Sequence, residues 1–276
     1  MIALPTLIGM LAVAGLLAGV MAGLLGVGGG IIIVPVLDIA FGAAGVPDGL
    51  RMHLAVGTSL ASIVPTALAS ARAHRARGAI DGSIARSWAP AIAIGAALGA
   101  MIASAVRGAV LSTVFGTVAV AAAARMMLGS GQITGRTERT ADSPPVSRAW
   151  LPVPVLIGII SAMMGIGGGT LSVPVLNGLG LPMHRAVGTS AWFGLWIALP
   201  GAIGFAMLGG NPAGLPPFSI GYVNLLALAV LLPATVLAAP VGAALAHRLG
   251  KRQLSVAFGL FLLVTGSRML YRAWVH

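Results

Sequence analysis

Two stretches of this chain carry the same unusual residue pattern. Gly26-Val27-Gly28-Gly29-Gly30 is followed by Val34-Pro35-Val36-Leu37, and Gly165-Ile166-Gly167-Gly168-Gly169 by Val173-Pro174-Val175-Leu176. A glycine cluster that interrupts an apolar helix frees backbone N–H groups, and the helix restarting after it presents the positive end of its dipole. This is equipment for holding an anion without a metal or a cofactor. The candidate backbone donors are Gly28, Gly29 and Gly30 in the first copy and Gly167, Gly168 and Gly169 in the second. Each copy is followed by a Gly-Thr-Ser triplet, and Thr58, Ser59, Thr189 and Ser190 add hydroxyls that either cap a helix or contact a bound oxyanion. Thr170 and Ser172 stand where the first copy has Ile31 and Ile33, so the second copy offers the more polar wall.

Ionisable groups inside apolar runs are few. Asp38 follows Pro35 by three residues, with Asn177 at the matching place in the second copy; an acid at such depth is a candidate proton relay or a partner for an arginine. His53 and His184 precede the Gly-Thr-Ser triplets and are candidates for coupling transport to protons. No His, Asp or Glu cluster has metal-ligand spacing, and the chain has no cysteine. There is no HExxH, no GxSxG, and no acid and base spaced to activate a Gly-Thr-Ser hydroxyl, so an enzyme is not expected. A dinucleotide fingerprint fails because its third glycine would fall at Ile31.

The elements that must position these groups are membrane helices. Hydrophobic residues make up 58% of the chain and charged residues 8%, with mean hydropathy +1.02, against roughly 25% charged residues in a soluble domain. The formal charge of +11 lies at segment ends and in loops, which suits membrane topology and anionic lipid headgroups and not nucleic acid. Met1 to Leu50 has no Lys or Arg, so it lacks the basic region of a signal peptide and is read as retained.

Apolar runs fall at 3–46, 54–71, 87–106, 108–128, 150–183, 186–208, 222–246 and 253–271. The first and fifth are too long to be single crossings, since about 20 residues span the hydrocarbon core. Each is expected to break at its glycines and fold back, with Pro35 and Pro174 holding the break open. Hydropathy leaves open whether the shorter arm crosses fully. The expected organisation is an all-α polytopic membrane protein with a first transmembrane repeat over 1–128, a polar cytoplasmic connector over 129–149 and a second repeat over 150–276. Each repeat has about four hydrophobic segments, the first of them folded back.

Further matches mark the repeat. His53 to Ser59 aligns with His184 to Ser190, and Gly78 to Asp81 with Gly221 to Asn224. A constant offset then pairs Gly99 with Gly242, Phe115 with Phe258, Gly116 with Gly259 and Arg125 with Arg268. Orientation follows from the basic loops: Arg72, Arg75, Arg77 and Arg86, then Arg136, Arg139 and Arg148, then Arg248, Lys251 and Arg252 should all be cytoplasmic. That requires each fold-back to contribute an even number of crossings, which inverts the second repeat relative to the first. A parallel repeat with four crossings per half is the competing arrangement, and Arg268 and Arg272 count in its favour.

The segments GLLGVGGGIIIVPVL, HLAVGTS and RGAID of the first half, with GIGGGTLSVPVL, HRAVGTS and GYVN of the second, resemble the TauE/SafE family of sulfite exporter-like and sulfonate permease-type proteins. The resemblance covers nearly the whole chain except the connector. It implies a multi-pass secondary transporter of the bacterial inner membrane, with about eight helices in two repeats. It further implies a small sulfur-containing anion as substrate, sulfite or an organosulfonate, often moved outward. The family often has a basic residue after the motif histidine, as Arg185 here, whereas the first half has Leu54. With no ATP-binding motif, the energy is expected from an ion or substrate gradient. The expected partners are thus a small anion, the bilayer and a coupling ion. The alternatives are an anion channel and a non-transporting membrane assembly or sensor subunit in which the glycines serve only packing.

Overall fold

The computed structural model describes residues 4–25, 30–127, 152–210, 212–246 and 251–275. The described chain is helical apart from one small hairpin. Its elements are α1 (Leu4–Leu25), α2 (Gly30–Ala43), α3 (Asp48–Ala76), α4 (Gly82–Ala105), α5 (Gly108–Met127), α6 (Pro152–Met164), α7 (Gly169–Gly178), α8 (Met183–Leu208), β1 (Ser219–Ile220), β2 (Val223–Asn224), α9 (Leu225–Ala246) and α10 (Lys251–Val275). Six helices among the described residues are long and apolar enough to cross a membrane. The exposed residues between helix ends include Leu237, Met207, Val264 and Ile94. A fold that turns such side chains outward suits lipid and not water, and the chain is a multi-pass membrane protein.

The helices pack through small residues, which let backbones approach closely where lipid supplies no hydrophobic drive. A Cβ built on Gly95 would lie 2.2 Å from the Val155 carbonyl oxygen, and one on Gly99 2.6 Å from that of Ile159, so α4 and α6 run side by side in the same direction. Gly15 against Leu231 and Gly19 against Thr235 set α1 and α9 parallel in the same way. Gly57 meets Phe205, Leu60 meets Gly201 and Ala67 meets Gly194, so α3 and α8 are antiparallel. Gly116 against Gly266 and Ala123 against Gly259 make α5 and α10 antiparallel as well.

These directions settle the course of α7. Trp88 stacks near Phe193 and Ala100 lies against Gly204, so α8 also runs in the direction of α4 and hence of α6. The helix between α6 and α8 must therefore run back. Both arms are short, 13 residues in α6 and 10 in α7, about 20 and 15 Å at 1.5 Å per residue. Gly168 packs against Ser190 and Gly194, well inside the 26-residue α8. The second fold-back is thus a pair of short arms that turns inside the bundle, each arm too short to cross a membrane alone; the turn between α1 and α2 lies outside the described residues. The α2 arm, 14 residues long, runs antiparallel to α3: Gly30 lies by Ile63, Val34 and Val56 both border Gly165, and Gly42 lies by Arg51.

The bundle has two recognisable ends. One gathers the end of α3 at Arg77, the starts of α4 and α8 and the end of α5; it is called the Arg77 end below. At the other, the Asp48 end, the start of α3 meets the end of α10 through Asp48 and Arg272. Pro35 and Pro174 stand inside α2 and α7, six residues into each helix. The breaks themselves are therefore made by glycine. Each proline instead removes the N–H that would bond the carbonyl four residues earlier, that of Ile31 or Thr170.

Candidate functional site

The second glycine cluster builds its turn from the α6 terminus. Gly165 adopts φ +68, its N–H bonds the Ala162 carbonyl, and Ile166 N–H bonds that of Ser161. This pair of bonds is a Schellman cap, which needs a left-handed residue at that place. Two residues on, Gly168 forms the entry to α7 with no side-chain cap. A Cβ there would sit 2.4 Å from the Ser190 carbonyl oxygen and 2.7 Å from the Gly194 nitrogen. Only glycine lets the α7 start press into α8. Gly167 differs, since a Cβ there would meet nothing closer than Ile63 at 3.5 Å.

The N-terminus of α7 opens onto a cavity of about 570 Å³. Gly167, Gly168, Gly169, Thr170 and Pro174 line it from the turn and α7, Ser190 and Met183 from α8, and Ile31 from α2. Toward the Arg77 end its walls carry Thr66, Ser70 and His74 of α3 and Arg125 of α5. Most of the remaining lining is apolar. Ser190 is fully buried, and its hydroxyl has no hydrogen-bond partner among the described residues. A buried unpaired hydroxyl on a cavity wall is costly unless something occupies the cavity. Thr170 Oγ1 makes only a long contact, 3.5 Å, to the Gly167 carbonyl.

The other expected site residues divide clearly. Thr58 accepts a hydrogen bond from Asn224 N–H at 3.0 Å, and Thr189 one from Asp81 N–H at 2.9 Å. Asn224 and Asp81 in turn cap α9 and α4 through Ala227 N–H and through Ser83 and Ile84 N–H. These two threonines therefore hold cross-chain helix starts and do not line the cavity. Gly57 and Gly188, each just before its threonine, make room for this: a Cβ on either would lie 2.3 Å from the carbonyl oxygen of Tyr222 or Ala79. Ser59 donates to the Gly165 carbonyl at 2.7 Å, which fastens α3 to the turn between α6 and α7. Gly30 packs against Gly165 and Ile166, so the two glycine motifs meet. Gly28 and Gly29 lie outside the described residues, as does the connector at 129–149. Ser172 is buried with an unpaired hydroxyl but lies away from the cavity lining.

Asp38 is buried and binds Arg268 at 3.2 Å and Arg272 at 2.8 Å; Arg272 also pairs with Asp48, and Asp48 with Arg51. Of the two roles open to Asp38, the geometry supplies the arginine partner. Asn177 donates instead to the Leu181 carbonyl at 3.1 Å, closing the loop after α7. His53 is buried, with Nδ1 3.0 Å from the Gly49 carbonyl and Nε2 3.0 Å from that of Ala103, while His184 is exposed. At the Arg77 end Asp81 pairs with Arg185 at 3.3 Å. Burial raises the Asp81 pKa, but the Ser83 hydroxyl, the Ile84 N–H, Arg185 and the Ser83 N–H outweigh it and hold the carboxyl below its ordinary range. Sequence reasoning passed over Arg125 and His74 as cavity groups. Arg125 was visible only as a match to Arg268. No group of three or more His, Asp and Glu among the described residues has the geometry of a metal site.

Comparison with known proteins agrees with this architecture. The chain matches the family described as Sulfite exporter TauE/SafE over residues 11–269. It is 33% identical over 261 residues to a "Probable membrane transporter protein" of Haemophilus influenzae, covering 94% of this chain and 96% of that one. It is also 26% identical to a similarly named protein of Methanocaldococcus jannaschii, covering 96% of each chain, and 25% identical to one of Bacillus subtilis, covering 95% of this chain and 96% of that one. No solved structure matches. The extent of the family match places the protein among membrane transporters and not enzymes: the chain belongs to the TauE/SafE sulfite exporter family.

Proposed function

We propose that the protein is a secondary transporter that exports a small sulfur-containing anion, sulfite or an organosulfonate, by alternating access around the α7 turn. The observation that carries this is the uncapped α7 N-terminus beside the unpaired Ser190 hydroxyl, both on one cavity. Free N–H groups at a helix start and a hydroxyl donor suit an oxyanion, whose lost hydration must be replaced by several donors. Gly167, Gly168, Gly169, Thr170 and Ser190 would form the binding wall. Gly30 would support it from the first half, through its packing on Gly165 and Ile166, with Thr58, Ser59, Thr189 and Ser172 supporting the frame.

Alternating access follows from an inverted repeat. The antiparallel pairs α3 with α8 and α5 with α10 join segments that match in sequence, and Thr58 with Asn224 mirrors Thr189 with Asp81; both support inversion over the parallel repeat. In this reading the Arg77 end is cytoplasmic in the bacterial inner membrane, by its excess of arginine, and the cavity is the inward-facing state. A coupling ion would draw on the polar groups Asp38, His53, His184 and Asn177.

The test is sulfite or small-sulfonate flux by the purified protein in proteoliposomes. Saturable uptake, accelerated by the same anion on the opposite side, is expected. Flux without that acceleration would indicate a channel, and anion binding with no flux across a panel of anions would indicate a non-transporting assembly.

A further inference from the structure

We propose that Arg125 supplies the fixed positive charge that selects an anion in the cavity, and that the protein keeps it free by placing an amide where the other half has an acid. The inference rests on the transport reading above and names the residue that sets the charge preference of its site. Among the described residues lining the cavity Arg125 is the one permanent cation, and none of them is a carboxylate. Its guanidinium is exposed and makes no hydrogen bond or ion pair with another described residue. Arg125 stands in the last turn of α5, at the rim of the cavity, where an exposed arginine keeps its charge while its stem packs on apolar surface.

The matching arginine shows what is missing. Arg268 occupies the place on α10 that Arg125 occupies on α5, and it is held by Asp38 of α2 together with Arg272. On α7 the residue matching Asp38 is Asn177, whose side chain is spent on the Leu181 carbonyl. Arg268 is thus paired with an acid, whereas Arg125 has no such partner among the described residues and offers its charge to whatever enters the cavity. A charge of one sign between low-dielectric walls concentrates counter-ions. A guanidinium also presents paired donors that match two oxygens of an oxyanion. The α7 N-terminus and Ser190, which line the same cavity, would then complete the donor set.

The experiment uses the full chain and two readouts. In proteoliposomes, Arg125→Gln should raise the KM for sulfite and for methanesulfonate roughly tenfold, the loss expected for one charged hydrogen bond, while Arg125→Lys should recover part of it. Asn177→Asp should raise KM in the same direction by capturing Arg125, and the double variant with Arg125→Gln should be no worse than Arg125→Gln alone. In the wild type, methanesulfonate, which unlike sulfite does not add to the aldehyde of the reagent, should slow modification of Arg125 by phenylglyoxal, read by peptide mass spectrometry, and leave Arg268 unaffected. A KM within twofold of wild type in Arg125→Gln, or an Arg125 that methanesulfonate does not protect, overturns the proposal even when wild-type flux is normal. Absence of wild-type flux with Arg125 still protected would count against transport and in favour of the anion site.

Discussion

The two ends of the bundle are built from matching parts and finished differently. Into each runs a short helix that starts from glycine in the middle of the bundle and carries a proline at its sixth residue, and a threonine on a long helix receives the N–H of a distant helix cap. At the Asp48 end, Asp38 ties α2 to two arginines of α10, and Asp48 extends the network to Arg51. At the Arg77 end, Asn177 makes no such tie, and a cavity opens beside α7. On the reading proposed above, the ion pairs of Asp38 hold one end together, and the amide at Asn177 leaves Arg125 to an anion in the cavity.

The largest expected effect concerns the turn that both ends share. Gly168→Leu should abolish transport, and Gly168→Ala should already disturb the turn, because even a Cβ would sit 2.4 Å from the Ser190 carbonyl oxygen. Gly167→Ala, which has room, should insert and keep the fold; thermal unfolding in detergent separates the two. Equal behaviour of the two alanine variants would break the assignment of Gly168 to the contact with α8.

Next is the tie itself. Asp38→Asn leaves two arginines without their buried partner, a change that typically costs about 3 kcal/mol, so the melting temperature should fall. The Asp48 end should also become reachable: a cysteine introduced at Val34, in a chain that has none of its own, should gain reactivity. Unchanged reactivity would mean that Asp38 is not what closes that end.

Smaller and matched effects should follow at the threonines. Thr58→Val and Thr189→Val each leave a buried N–H, of Asn224 or Asp81, without its acceptor, at a cost of about 1–3 kcal/mol. Similar losses would sharpen the equivalence of the two ends, and a large difference would weaken it.

The smallest effect is one of pH. The Asp81 carboxyl is held below its ordinary pKa, so its contribution is complete above the unfolded-state value and is lost as pH falls through the folded one. Acid unfolding of the wild type should therefore lose part of its steepness in Asp81→Asn. Asn224→Gln, at the neutral counterpart of that cap, should leave the acid limb's shape unchanged.

Much of this was legible in the chain. The run at 150–183 is too long for one crossing, and length alone required the fold now seen between α6 and α7; the corresponding turn of the run at 3–46 lies outside the described residues. The glycine cluster correctly marked where α7 begins. Other features depend on contacts that no local pattern carries. Thr189 reaches Asp81 across 108 residues and Thr58 reaches Asn224 across 166, so their hydroxyls looked equally suited to a ligand. The same distance in sequence hid Arg125, whose place on the cavity wall depends on how α5 packs against α10. The hairpin of β1 and β2 fell at the edge of an apolar run, where its two-residue strands leave no periodic signal. Pro35 and Pro174 looked like the breakers because proline disfavours helix interiors, yet the neighbouring glycines had already ended the preceding helix.

If an anion binds at the α7 turn, in a cavity reached from the Arg77 end, a cysteine on that wall must be both reachable and protected. The most direct measurement is the labelling of Thr170→Cys, at a part-buried position of the cavity lining, by a membrane-impermeant maleimide, applied from each side of oriented vesicles with and without methanesulfonate, which unlike sulfite does not consume the reagent. Labelling from the Arg77 side, slowed by methanesulfonate, is expected. Labelling from the Asp48 side alone, or labelling that methanesulfonate leaves untouched, would contradict this.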